Sequence, residues 1–115
     1  MHEAMSTRLK TEVWAKAYIR RCTGENIAAV IVRRGDNAAG TILLKINRLD
    51  GTCAVLAPTV GDDGTRAWFV ATKDFVTEET ADAYVARQLK FDPDLWVIEV
   101  EDRQGRNWLT EPVRV

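Results

Sequence analysis

Two clusters in the sequence hold groups whose type and spacing suit chemistry. The first is Arg33 and Arg34, set directly before a glycine-bounded loop, Gly35-Asp36-Asn37-Ala38-Ala39-Gly40. Two guanidinium groups at a strand end can hold a carboxylate or phosphate through bidentate hydrogen bonds. Read as local structure, the same stretch is a polar hairpin end. Asp36 and Asn37 then bond to nearby backbone, and the glycines permit positive φ. The second cluster runs from Lys90 to Asp102, where Asp92, Asp94, Glu99, Glu101 and Asp102 place five carboxylates in eleven residues. Such groups can do acid–base work when burial raises one pKa, or bind a hard cation such as Mg²⁺ or Ca²⁺. On an extended strand, however, Glu99 and Glu101 point to one face and Asp102 to the other. Asp92 and Asp94 flank a helix-breaking proline. The plainer reading is a turn followed by a solvent-facing strand edge.

Other chemistries lack their parts. The chain has one histidine, His2, and one serine, Ser6, both close to the N-terminus. A Ser-His-Asp arrangement has neither its nucleophile nor its base in the expected folded part, and a Cys-His pair lacks the imidazole. Cys22 and Cys53 fall short of the usual four zinc ligands. The phosphate-binding patterns GxxxxGK[ST] and GxGxxG do not occur, and no helix follows the glycine loop to offer it backbone N–H groups. The tripeptide Arg34-Gly35-Asp36 matches an adhesion motif by chance. The expectation is therefore no catalytic residue, no metal and no cofactor. The candidate binding residues are Arg33, Arg34 and Asp36, joined by Lys16 and Arg20 of the first helix. The alternative is a small enzyme or metal-dependent activity at an acidic cluster of Asp92, Asp94 and Glu99.

The elements that must position these residues are legible from periodicity. From about Arg8 to Cys22, Thr11, Trp14, Ala15, Tyr18, Ile19 and Cys22 recur at helical spacing, with Glu12, Lys16 and Arg20 opposite. Thr23-Gly24 is expected to end this helix through a left-handed cap. Strands follow at Ile27 to Val32, Thr41 to Leu49, Thr52 to Ala57 (stopped by Pro58) and Thr65 to Thr72. Asp50-Gly51 predicts a two-residue hairpin, and Gly61 to Gly64 another turn. Thr77 then caps a second helix, whose inner stripe is Ala81, Tyr84, Val85, Gln88 and Leu89. Pro93 ends it, and Leu95 to Val100 is a fifth strand. The order is α-β-β-β-β-α-β. Four consecutive strands with tight turns predict an α+β fold with a mainly antiparallel sheet of about five strands. The runs IAAVIV, AWFVA and LWVI are apolar on both faces. The two helices are thus expected to cover both faces, or a homodimer to cover one. The four tryptophans, Trp14, Trp68, Trp96 and Trp108, are expected in the core.

A chain of 115 residues has the length of one domain. Residues 1–7 are expected to be a disordered tail, and residues 8–115 the α+β domain. No apolar stretch is long enough to span a membrane, and the N-terminus lacks a secretory pattern. Two cysteines without CxxC spacing suggest buried thiols in a reducing, cytoplasmic compartment. Residues 1–50 hold nine Lys or Arg against five Asp or Glu; residues 51–115 hold seven against twelve. This asymmetry suits a protein partner or a small anionic ligand at a basic surface. Nucleic acid rates lowest, since net charge is −1 and few aromatics interleave the basic residues.

The segments RLKTEVWAKAYIRR, RRGDNAAGTILLKI and FDPDLWVIEVEDR together resemble an alphaproteobacterial family of short uncharacterised proteins, domain-of-unknown-function family fourteen ninety-one. The resemblance runs from about Arg8 to Glu111. It implies a bacterial, cytoplasmic, single-domain protein, and it supplies no activity, cofactor or site residue. The reading it leaves is a small binding or protein-interaction module without catalysis.

Overall fold

The computed structural model describes residues 10–114. The expected tail, residues 1–7, lies outside that range, as do His2, Ser6 and Arg8. The first helix, α1, spans Thr11–Gly24 and buries Thr11, Trp14, Ala15, Tyr18 and Cys22, the stripe that the spacing predicts. It runs through Gly24, and the left-handed residue at its end is Asn26, at φ 61°. Asparagine tolerates that conformation because its side chain bonds locally.

Seven strands follow: β1 Ala28–Arg33, β2 Ile42–Asn47, β3 Thr52–Val60, β4 Arg66–Val70, β5 Val76–Thr77, β6 Trp96–Glu101 and β7 Val113–Arg114. The second helix, α2, spans Glu78–Phe91 between β5 and β6. It is capped by Thr77, whose hydroxyl accepts from the Thr80 N–H. The strands form one sheet in the order β1-β6-β2-β3-β4-β7, with β5 paired to β3.

The sheet is mixed, which corrects the expectation of a mainly antiparallel meander of about five strands in chain order. β6 inserts between β1 and β2, antiparallel to the first and parallel to the second. β7 adds a second parallel pair beside β4. The physical reason is loop length. A two-residue turn forces its strands to be neighbours, whereas residues 34–41 are long enough to cross one strand, a span of roughly 10 Å at 4.8 Å per step. β6 also suits the interior better than β1. Four of its six residues are below a tenth exposed on both faces, while β1 ends in arginines and carries a bulge between Ile31 and Arg33, as edge strands often do.

Two further turns differ from their expected form. β2 and β3 are joined by four residues, Arg48 to Gly51, with Leu49 and Gly51 at positive φ. Asp50 instead accepts from the Thr52 N–H and hydroxyl. β3 does not stop at Pro58. Its pairing with β2 ends at Leu56, while that with β4 continues through Pro58 and Trp68 to Val60 and Arg66. Beyond Leu56 one side of β3 is an edge, so a proline without an N–H leaves no ladder bond broken.

The helices cover opposite faces, one of the two arrangements that the doubly apolar strands allow. Against α1 pack Ile42, Leu44, Ile46, Trp68, Trp96 and Ile98. Against α2 pack Leu43, Cys53, Val55, Ala57 and Leu95, around Ala81. Trp14, Trp68 and Trp96 are in the core, and Trp108 is partly buried against it. Among the described residues, no helix is long and apolar enough to cross a membrane.

Candidate functional site

The crossing loop between β1 and β2 passes over the start of β6, and there the candidate residues gather. Gly35 and Gly40 both press on the Asp94 carbonyl. A Cβ on Gly35 would lie 2.0 Å from that oxygen, and one on Gly40 2.6 Å. Close approach, not a left-handed turn, demands glycine here, since neither residue has positive φ. The Asp36 N–H donates to the same carbonyl at 3.0 Å. The Asp36 carbonyl accepts from the Trp96 indole N–H at 2.7 Å. Its carboxylate accepts from the N–H groups of Ala38 and Ala39 at 3.1 and 2.8 Å.

The loop also serves α1. Lys10, at the N-cap, makes no side-chain cap. The carbonyls of Ala38 and Asn37 accept instead from the N–H groups of Thr11 and Glu12, at 3.3 and 2.9 Å, and the Thr11 hydroxyl donates to the Gly40 carbonyl at 2.8 Å. Donors that a helix start leaves without partners are thereby satisfied. The glycine loop is a clasp holding α1, β1 and β6 together, with Asp36 at its centre. The hairpin turn expected at this place is not formed.

The basic residues are only partly brought together. Arg34 pairs with the Glu12 carboxylate, and its guanidinium lies 4.8 Å from the Trp96 ring centroid. Lys16 reaches the same Glu12 at 3.6 Å and remains exposed. Arg33 donates to the Pro93 carbonyl at 2.7 Å. Arg20 is exposed one helical turn beyond Lys16, on the same face but further from the loop. The acidic residues do not converge. Asp92 accepts from the Asp94 N–H at 3.0 Å in a local turn, and Asp94 is exposed. Glu99 lies roughly 13 Å further along the chain from Leu95, at 3.3 Å per strand residue. It faces α2, where it accepts from the Asn47 amide at 3.0 Å.

Two charged centres escape the sequence reading. Lys45 alternates with core residues and so reads as solvent-facing, yet α2 buries it. Its ammonium meets Glu78 at 2.8 Å, Asp82 at 2.7 Å and Glu99 at 3.7 Å. Burial by itself would lower the ammonium's pKa; the hydrogen bonds from Asp82 and Glu78 outweigh it and hold the pKa above the ordinary value. The available signal was Glu78 and Asp82 at i, i+4 on one helix face, a pair that repels without a cation. Asp102, placed by sequence at the end of a solvent-facing edge, is 3% exposed. It accepts from Arg106, Trp108 and the Gln104 N–H, each at 2.8 Å. Burial opposes its charge, but those bonds prevail and keep its carboxyl below the usual range.

The thiols are buried and free. Burial pushes Cys53 up to about 11, with Lys45 partly countering, and it raises Cys22 as well. Neither forms appreciable thiolate near neutrality, so neither is disposed to act as a nucleophile. Among the described residues, no three His, Cys, Asp or Glu side chains are grouped so as to hold a metal ion.

Comparison with known proteins agrees with the resemblance seen in the motifs. The family model described as "Protein of unknown function (DUF1491)" matches residues 9–110. The crystal structure of a DUF1491 family protein from Caulobacter crescentus is 40% identical, with a TM-score of 0.85, over 93% of this chain and 100% of that one. An NMR structure of a DUF1491 family protein from the same organism gives 40% identity and a TM-score of 0.80, over 93% and 97%. The solution structure of an A. tumefaciens protein is 28% identical, with a TM-score of 0.79, over 94% and 98%. No curated protein matches the chain.

Proposed function

The chain belongs to the DUF1491 family, whose description assigns no activity, and from that premise we propose a small cytoplasmic binding module, without catalysis of its own, that takes an extended acidic segment of a partner protein along β1. The observation that carries this reading is the outer edge of the sheet. Among the described residues, no strand pairs with the far side of β1, and Val30 and Val32 are 56% and 57% exposed. Arg33, Arg34 and Lys16 lie beside it with exposed side chains. Strand addition would draw affinity from unpaired backbone groups and specificity from alternate side chains. Apolar side chains would meet the valines, and carboxylates the basic groups. Two free, buried thiols support a reducing compartment.

The test is capture from a nuclease-treated lysate of the source cell with tagged protein, in parallel with Arg33→Ala/Arg34→Ala and Val30→Lys. A partner lost with Val30→Lys and weakened with the arginine variant supports the reading, provided that its binding slows amide exchange in β1. The same proteins captured by all three forms would count against it.

A further inference from the structure

A cavity lies elsewhere, between the first turn of α1, the β3–β4 hairpin and the C-terminal segment. It encloses about 670 Å³, within the usual range of small-molecule sites. Trp14, Pro58 and Val60 give it apolar walls, and Thr41 and Thr65 line it with hydroxyl-bearing side chains. Val60 is 66% exposed, an aliphatic side chain left open beside this space. Two carboxylates, Asp63 and Glu111, also line the cavity; that of Asp63 accepts from the Thr65 N–H and hydroxyl, and that of Glu111 is held by two indoles. The two Glu111 oxygens accept from the indole N–H groups of Trp14 and Trp68, at 3.0 and 3.1 Å, which fixes the Trp14 ring in place.

Arg66 is the cation of this cavity. Among the described residues, three arginines are partly withdrawn from solvent: Arg21, Arg48 and Arg66. Arg21 donates to the Trp108 carbonyl and Arg48 to the Thr52 hydroxyl. The Arg66 guanidinium lies 5.6 Å from the Trp14 ring centroid. Among the described residues it has no hydrogen-bond acceptor and no carboxylate partner. A guanidinium held against an aromatic face keeps its fork of donors available for a planar or tetrahedral anion. Its ordering is supplied by the ring before any ligand arrives, which lowers the cost of binding.

We infer that this cavity binds a small anion, whose single carboxylate or phosphate group meets Arg66 where Trp14 holds it, and whose planar or apolar body lies along Pro58 and Val60. The Asp63 and Glu111 carboxylates disfavour a second anionic group on the same ligand. The site is separate from the β1 edge, so either can fail without the other.

The test is an amide- and indole-resolved NMR titration of the full chain with benzoate, phenyl phosphate and inorganic phosphate. Saturable shifts at Thr65, Arg66 and the Trp14 indole are expected with benzoate or phenyl phosphate, and the tighter of the two identifies the head group. Arg66→Gln should weaken binding at least tenfold. Val60→Glu, at an open position that folding tolerates, should do the same by adding like charge, and it covers the case in which Arg66→Gln disturbs the hairpin. Three results would overturn the inference: no saturable shift with either organic anion, inorganic phosphate bound as tightly as phenyl phosphate, or unchanged affinity in both variants.

Discussion

Lys45 sits beneath α2 with three carboxylates around one ammonium, and its removal leaves Glu78, Asp82 and Glu99 to repel one another. Breaking a fully buried pair costs about 3–5 kcal/mol. Here the side chains of Glu78 and Asp82 are about half exposed, so solvent screens part of the repulsion. Lys45→Met is expected to lose about 2 kcal/mol at pH 7 in urea unfolding. The pH dependence has a definite sign. The folded ammonium holds its proton more tightly than the unfolded one, so its contribution is complete below about pH 10.4, the ordinary lysine value. It is lost as pH rises through the higher folded value. The gap between wild type and variant should therefore narrow in alkali. Equal stabilities at pH 7 would show that the three carboxylates are relieved by water alone.

The crossing loop is the element on which the basic surface depends. Gly35→Ala would set a methyl group 2.0 Å from the Asp94 carbonyl oxygen and 2.6 Å from the Leu95 carbonyl carbon. Both are backbone atoms at the entry to β6, so no side chain can swing aside. Overpacking of this kind costs about 1–3 kcal/mol. A value at the upper end is expected in urea unfolding, together with faster amide exchange at Thr11 and Glu12, whose N–H groups the loop binds. A loss below about 0.5 kcal/mol, the range of ordinary surface changes, would mean that the loop lifts freely from β6 and is no clasp. At this scale much was legible. Both helices, their inner stripes, the Thr77 cap and five of the strands follow from periodicity and capping chemistry. The loop's role was not, because its glycines are required by Asp94, nearly sixty residues away in the chain.

Across the whole molecule, the C-terminal segment closes the α1 side of the core. The carbonyl of Asn107 accepts from the Tyr18 hydroxyl, and that of Pro112 from the Trp68 N–H. Glu111 ties the indoles of Trp14 and Trp68 together. Glu111→Ala is expected to cost about 2 kcal/mol, because a buried donor left without a partner costs about 1–3 kcal/mol and the open cavity lets water reach part of the site. Urea unfolding with tryptophan emission as the probe measures both the loss and the changed indole environment. Unchanged stability and emission would make the segment a peripheral strap.

By itself the sequence determined the α+β class, the two helices with their inner stripes, the burial of Trp14, Trp68 and Trp96, and the family resemblance. These follow from local periods of 3.6 and 2 residues and from caps that bond within one turn, all of which a linear chain carries openly. Tertiary structure alone decided that β6 lies between β1 and β2, that Lys45 and Asp102 are buried among partners, that Asp92 and Asp94 stand apart from Glu99, and that Arg66 meets Trp14 across a cavity. The strand order, the Lys45 cluster and the Arg66–Trp14 contact join residues tens of positions apart, and the Asp102 partners, though within six residues, lie in an irregular turn without a period. The long-range relations depend on which strand best tolerates burial on both faces, a competition among segments that no single segment reveals.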